Sequence, residues 1–462
     1  MAEEVKKTAT SKKSVETARK VWPYVKEDYA MAHECKAAGK PIAWTCAMLP
    51  KELLWAMDVY PQNPEHYGVL TAMFRRGGSK DPNVLKEAVR FCKLAEEEGF
   101  ATYNCGYARA TIGHALTGDL KDAPLGGLEP PDMVITTSCV CDQRGKWLRY
   151  LAQKFNVPFY LIDFPERGSD LAYDMPGQRN PILPYHSSLK RGVTDVYYSP
   201  PADYEIDYVE CQWRDLARFI EDVTGHKYDQ DRFNEVMDLS YKTNELRLEI
   251  LEYRKAVPAP MTSADGLSVM YPGTYTLGTQ RAYDFYVELR DELRQKVEDK
   301  IGVIPDEKFR MLWYGLGPWF NMALMNYFEN IGGVFIYEPI YNLAPFPPRT
   351  PENPFRELAS RTLQQSGGMM GPMGSLGQTV STLVNAARDY KAAGIVLFYL
   401  ITCRPVVYPV VEIGRVLEGE FGIPYTALEC DLVDERSYNE AQTLARWDAF
   451  AERMLKKGPV AY

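Results

Sequence analysis

Pro131-Asp132-Met133-Val134-Ile135-Thr136-Thr137-Ser138-Cys139-Val140-Cys141, followed by Asp142-Gln143-Arg144-Gly145-Lys146-Trp147, is the stretch whose reading decides the fold. A short apolar, β-branched run ends abruptly at two thiols. An amphipathic helical pattern (Trp147, Leu148, Leu151, Phe155) begins just after them. Strand, short loop and helix, with reactive groups at the strand's carboxyl end, is how α/β proteins build sites.

The same grammar recurs on both sides. Upstream, Val15 to Cys35 predicts a helix, Ile42 to Cys46 a buried strand, and Pro50 onward a helix whose first turn tolerates proline because that N–H lacks a partner anyway. A helix over about Asn83 to Glu98 stops at Gly99; Phe100 to Cys105 then reads as a short strand ending in a thiol. Pro158 to Pro165 reads as a further buried strand. From about Tyr204 to Tyr253 the pattern is helical and charged, an exposed connecting region; Tyr271-Pro272-Gly273-Thr274 interrupts it, and a long charged helix covers Gln280 to Glu298. Strands are expected again at Phe309 to Tyr314, Gly333 to Tyr337, Gly394 to Leu400 and Pro424 to Leu428. Helices over Pro318 to Asn330, Val380 to Ala392, Val406 to Phe421 and Glu440 to Leu455 fall around them. Alternation of this kind implies parallel sheets. The expected division is a tail and helix over 1–35, a first α/β domain over 36–200, a helical connecting region over 201–305, and a second α/β domain over 306–462. The fold class is α/β, two Rossmann-like or flavodoxin-like parallel-sheet halves with a cleft between them. Ala344 to Pro354 (Pro-rich) and Ser366 to Gly377 (Gly- and Met-rich) read as surface or lid loops.

The 462 residues suffice for two or three domains, and 46% hydrophobic with 25% charged residues suits sizeable cores. Lys and Arg total 53 against 62 Asp and Glu, a formal charge of −9. No basic excess or stripe marks a nucleic-acid binder. No apolar run reaches the roughly 18–20 residues of a membrane span. Met1 to Ser14 is Lys-rich and polar, lacks the apolar segment of a secretory signal, and reads as a frayed tail. Nine cysteines, odd in number and scattered, argue against a disulfide framework and for a reducing cytoplasm.

In that compartment thiols are free to bind metal. Cys105, Cys141 (or Cys139 beside it) and Cys403 share one setting, a predicted strand end just before a helix; Cys46 occupies a fourth such place. A single Cys of this kind is more often a small buried hydrophobe. Four in one setting reverse that weighting, and strand ends converging from two halves bring them to one metal centre. Thiolates suit iron–sulfur clusters or zinc. Zinc is disfavoured because there is no Cys-x-x-Cys pair and no His at finger spacing. Three widely spaced thiols suit a cubane cluster between domains, one iron left open. Cys35, Cys92, Cys211 and Cys430 lie outside such settings. Tyr314 to Pro318 lacks the full dinucleotide glycine pattern, and no Gly-x-x-x-x-Gly-Lys-Ser/Thr occurs. Glu52, six residues after Cys46, is a candidate proton donor; stabilisation of a helix start explains it equally well.

The chain resembles the 2-hydroxyacyl-CoA dehydratase and benzoyl-CoA reductase family of iron–sulfur subunits over about residues 40 to 450. The resemblance rests on Cys46-Ala47-Met48-Leu49-Pro50-Lys51-Glu52, Gly99 through Cys105 to Arg109, Cys141 six residues before Trp147, Gly315 to Trp319, Cys403, and Asp431-Leu432-Val433-Asp434. It implies a [4Fe–4S] cluster ligated by Cys105, Cys141 and Cys403, the Lys146-Trp147 offset choosing Cys141 over Cys139. Cys46 departs from many relatives and is either a fourth ligand, a neighbour of the open iron or merely buried. It further implies a homologous second iron–sulfur subunit, an ATP-hydrolysing activator fed by ferredoxin, a CoA thioester substrate and one-electron, ketyl-type chemistry. The helical insert and aromatic loops lean toward the large subunit of a class I benzoyl-CoA reductase (B/O type) performing Birch-like ring reduction. The alternatives are a subunit of an (R)-2-hydroxyacyl-CoA dehydratase and, if the cysteines are only core, a non-redox binding or scaffold protein.

Overall fold

A computed structural model describes residues 11–121, 123–139, 141–165, 201–339, 345–368 and 376–457. Its two sheets follow from where the apolar runs fall. The first is built from β1 (Ile42–Trp44), β2 (Tyr60–Gln62), β3 (Met133–Thr137) and β4 (Phe159–Ile162), in the order β2-β1-β3-β4, all parallel. The second repeats that order with β5 (Phe309–Tyr314), β6 (Gly333–Tyr337), β7 (Gly394–Leu400) and β8 (Tyr425–Cys430): β6-β5-β7-β8, again parallel. The central strands β3 and β5 are buried at every residue, as strands covered on both faces must be. The outer strands β4 and β8 alternate with partly exposed positions.

Around the first sheet lie α1 (Glu16–Arg19), α2 (Val21–Ala37), α3 (Glu52–Ala56), α4 (Pro64–Met73), α5 (Glu87–Glu97), α6 (Gly106–Leu116) and α7 (Asp142–Phe155). Then come α8 (Asp203–Thr224), α9 (Gln230–Tyr253), α10 (Ser263–Tyr275) and α11 (Gln280–Glu298). The second sheet carries α12 (Pro354–Gly368), α13 (Leu376–Asp389), α14 (Arg404–Phe421) and α15 (Glu440–Lys457). Among the described residues no helix is long and apolar enough to cross a membrane.

Several expectations are corrected. The segment 100–105 is not a strand: Phe100 N bonds Ala95 O, closing α5 behind Gly99, and Asn104 N bonds Ala101 O in a turn, so the backbone is spent on local bonds. Pro318 to Asn330 forms short 3-10 turns (Trp319–Asn326, Glu329–Ile331), broken by an extended Asn321, instead of an α-helix. Pro272 does not interrupt a helix but sits inside α10, in its last turn. The region of α8 and α9 is no exposed connector: Val209, Trp213, Leu216, Ile220, Phe233 and Met237 join the core of the first sheet while their charged faces point outward. The frayed-tail reading also fails where it can be seen. Lys13 Nζ donates to Ala264 O at 2.7 Å, and Ser14 N to Asp265 at 3.1 Å; Met1–Thr10 lie outside the described residues. Strand β2 had no counterpart in the sequence reading, because three residues of Tyr-Pro-Gln carry no periodicity. Of the two stretches expected as surface or lid loops, residue 344 of the first and residues 369–375 of the second lie outside the described residues, and the second is otherwise the end of α12 and the start of α13.

The second core also takes Val69, Ala72, Phe91, Cys92 and Ala110 from α4, α5 and α6, so these first-half helices pack against both sheets. At the opposite flank, Arg254 just beyond α9 reaches Glu338 just beyond β6 in a buried bidentate pair, 2.6 and 2.7 Å, and donates to Ile336 O at 2.9 Å. Breaking a buried pair from one side leaves an uncompensated charge. Glu338→Gln is therefore expected to lower the unfolding free energy by about 3–5 kcal/mol, read from the midpoint of chemical denaturation.

Candidate functional site

Both sheets change direction between their two central strands, β1/β3 in one and β5/β7 in the other, and crevices at such switch points are where α/β proteins bind ligands. The loops after all four strands face one cavity of about 170 Å³. Ala47 to Glu52 follow β1, Cys141 and Arg144 follow β3, Leu316 and Trp319 follow β5, and Cys403, Pro405 and Val406 follow β7. Cys105 and Tyr107 enter from the start of α6, and α10 with the turn after it adds Met270, Tyr275 and Leu277.

Three thiols thus ring one cavity, and each caps a helix: Cys105 precedes α6, Cys141 precedes α7 and Cys403 precedes α14. A helix start carries partial positive charge, which favours thiolate and so ligation. Burial works against it. Burial pushes the Cys105 thiol well above its ordinary range, with Cys141, Cys403 and Asp431 adding to the rise. Burial likewise pushes Cys403 up to about 12. The Cys105 and Cys403 sulfurs are desolvated and Cys141 is close enough to act on both, a donor set that fits a cationic iron–sulfur group. Among the described residues no three His, Cys, Asp or Glu side chains stand close enough to share a single metal ion. The thiols ring a space instead of a point.

Cys139 and Cys46 are elsewhere. Cys139 is buried and pushed up to about 12 by burial, with Arg144 opposing and Cys46 adding to the rise. Cys46 is fully buried, its sulfur 3.9 Å from Thr137 Oγ1, and its neighbour Ala47 lines the cavity in its place.

The three ligand-type loops are braced pairwise. Cys105 N donates to Gln143 Oε1 at 2.9 Å, tying the first to the second. Arg404 pairs with Asp142, tying the third to the second. Asp431 lies between the first and third: Thr402 Oγ1 donates to it, and a Cβ on Gly106 would collide with its carboxylate. Asp431 was part of the resemblance but had no role in the sequence reading; nothing local in its sequence marks it as a contact of two distant loops.

Glu52 lies on the cavity wall, fully buried, 2.7 Å from Arg361 Nη2; its Oε2 has no hydrogen-bond donor among the described residues. Arg361 is itself buried, over the ring of Phe346. Beside them Lys51 Nζ donates to the carbonyls of Cys46 (2.8 Å) and Ala47 (3.1 Å), while Glu65 accepts from Ala47 N and from Arg144 Nε. The loop after β1 is thereby held from both sides.

Burial lowers the Lys51 ammonium to about 8, with the charges of Cys46, Glu65 and Glu52 raising it and that of Arg144 lowering it further. The folded value lies below the unfolded one, so between about 8 and the ordinary lysine value the unfolded chain binds more protons and stability rises with pH. Lys51→Met is expected to remove part of that rise, seen as a smaller gain in unfolding free energy between pH 8 and pH 10 than in the wild-type chain.

The extent of the match to known proteins agrees with this geometry. The family described as 2-hydroxyglutaryl-CoA dehydratase, D-component, matches residues 46–454. The chain is similar to the alpha subunit of (R)-phenyllactyl-CoA dehydratase of Clostridium sporogenes, 24% identical over 433 residues and 92% of each chain. It is also similar to the alpha subunit of (R)-2-hydroxyisocaproyl-CoA dehydratase of Clostridioides difficile, 22% identical over 438 residues, 93% of this chain and 94% of the other. The B-type subunit of benzoyl-CoA reductase of Thauera aromatica is 24% identical over 421 residues, 88% of this chain and 87% of the other. A match that runs from Cys46 to Met454 and takes in the whole second sheet, most of the first and all three cavity thiols places this protein in the 2-hydroxyglutaryl-CoA dehydratase D-component family.

Proposed function

We propose that this chain is the alpha-type subunit of an enzyme that removes water from an (R)-2-hydroxyacyl-CoA, with Cys105, Cys141 and Cys403 holding a [4Fe–4S] cluster. The observation that carries the reading is the convergence of three helix-capping thiols, from both halves of the molecule, on one largely apolar cavity. The cavity, about 170 Å³, is smaller than the roughly 300–1,000 Å³ of a whole small-molecule site. It suits the acyl end of a CoA thioester, and its Met48, Leu49, Met270, Leu277 and Phe346 suit an aromatic or branched acyl group. Relatives named for phenyllactyl-CoA and 2-hydroxyisocaproyl-CoA point the same way.

Bound there, the cluster supplies single electrons at low potential and an open coordination position. The protein's own residues do the rest. The apolar wall excludes water. Glu52 Oε2, held in place through Arg361 and with no donor among the described residues, exchanges a proton with the acyl group; Cys46 stays a core thiol. The chain works beside a homologous second iron–sulfur subunit, and an ATP-hydrolysing activator fed by ferredoxin delivers electrons, all in the cytoplasm.

Ring reduction of an aromatic acyl-CoA is the second reading, favoured by the likeness to the benzoyl-CoA reductase of Thauera aromatica and by the same apolar lining. Dehydration is placed first because dehydratase subunits match at equal or greater coverage.

Anaerobic purification should yield a brown protein containing iron and acid-labile sulfide; a colourless, iron-free protein rejects both readings. Cys105→Ala, Cys141→Ala and Cys403→Ala are each expected to lose or convert the cluster, while Cys139→Ala keeps its iron. With partner, activator and reductant supplied, an (R)-2-hydroxyacyl-CoA should give an enoyl-CoA, whereas exclusive ring reduction of benzoyl-CoA would establish the second reading. Glu52→Gln is expected to cut kcat by about 10²–10⁴-fold with iron content unchanged, the range typical of a positioned proton-transfer group.

A further inference from the structure

The carboxylate of Asp431 is in an unusual place for a residue of the second half. It follows β8, is 1% exposed, and faces the starts of two helices that belong to different halves of the molecule. Its Oδ1 accepts from Val433 N at 2.8 Å and Asp434 N at 2.9 Å, which fixes its own turn. Its Oδ2 accepts from Thr402 Oγ1, one residue before Cys403, and lies 3.4 Å from Arg109 Nη2 on α6. The carboxylate also fills the space where a side chain on Gly106, one residue after Cys105, would go. It is close enough for its charge to act on both the Cys105 and Cys403 thiols.

The surrounding network does not cancel that charge. Arg109 Nη1 pairs with Glu96 at 2.7 Å and Asp434 at 2.8 Å, and Arg436 Nη2 pairs with the same two carboxylates at 2.6 Å each. Three carboxylates face two guanidiniums, leaving one formal negative charge, and the buried end of the network is Asp431. Burial opposes ionisation of Glu96 and Asp434, yet hydrogen bonds from Arg436 and Arg109 hold both below the usual carboxylate range, so the two act as anions at neutral pH.

We infer that Asp431 is a positioning residue for the metal group: it braces the Cys105 loop of one half against the Cys403 loop of the other, and its buried negative charge holds that group's reduction potential low. Negative charge near a cluster disfavours adding an electron, and net charge with sulfur environment is what sets such potentials. The inference rests on the [4Fe–4S] reading proposed above. It explains why a carboxylate, and not an apolar residue, is buried at the junction: a Leu or Asn there could fill the volume but could not do both things.

The test is a redox titration of the full chain, reconstituted anaerobically with iron and sulfide and followed by EPR. Asp431→Asn is expected to hold its iron and shift the midpoint to a more positive potential. Asp431→Glu, which keeps the charge but not the fit, should retain a midpoint near wild type and lose iron faster to a chelator. Thr402→Val, which removes one brace and no charge, should behave like Asp431→Glu. A wild-type midpoint in Asp431→Asn overturns the inference. Should Asp431→Asn bind no iron, Arg436→Gln at the half-exposed edge of the network carries the test: its midpoint should become more negative, and an unmoved one overturns the inference. A wild-type chain that takes up no cluster counts instead against the proposed function, so the two failures are distinguishable.

Discussion

The buried guanidinium of Arg109 is the contact on which the rest of the site depends. It stands on α6, three residues after its first residue and four after Cys105, and meets carboxylates from α5 and from the turn after β8. A buried charge that loses its partners costs several kcal/mol, so this arginine forces α6 and the end of the second sheet to meet at one register. With that register set, Cys105 and Cys403 line one cavity. Gly106 is required by the same closeness, because any side chain there would displace Asp431.

Around this junction the protein separates two kinds of polar burial. The Arg109 network is paired on nearly every side and fixes the junction, with Asp431 as its end nearest the thiols. The cavity polar groups are less complete: among the described residues neither Glu52 oxygen has a hydrogen-bond donor, only the ion pair with Arg361, and the Cys105 and Cys403 thiols are desolvated together. Unsatisfied buried groups are costly, and they persist where a ligand completes them. That contrast distinguishes the functional wall of the molecule from its equally charged but purely architectural interior, such as the Arg254–Glu338 pair.

The braces between loops also assign different duties to neighbouring residues. In the run from Cys139 to Arg144, Arg144 donates to the Cys139 carbonyl and to Glu65 on α4. Cys141 turns to the cavity, and Asp142 and Gln143 reach to the other two thiol loops. A single strand-to-helix connection thus contacts both of the other thiol loops. This is possible because the loop lies at the switch point, where neighbouring strands' connections leave in opposite directions and open a crevice.

The sequence by itself determined the two parallel sheets and the placement of Cys141 and Cys403, because β-branched runs such as Met133–Thr137 and Gly394–Leu400 bury both faces and stop abruptly at a thiol. It also marked Cys105 as part of the set, though for the wrong local reason: it was read as a strand end and is a helix cap after a turn, since six residues of mixed polarity cannot be told apart by periodicity. What only the tertiary structure decided is which thiols share a space. Cys46 has the same sequence setting as Cys403, yet its side chain is buried against Thr137, and the roles of Asp431, Gln143 and Arg361 are invisible without the fold. The reason is physical: strand and helix signals are carried by neighbours a few residues apart, whereas these contacts join residues up to 322 positions apart in the chain, where only packing and charge compensation choose the partner.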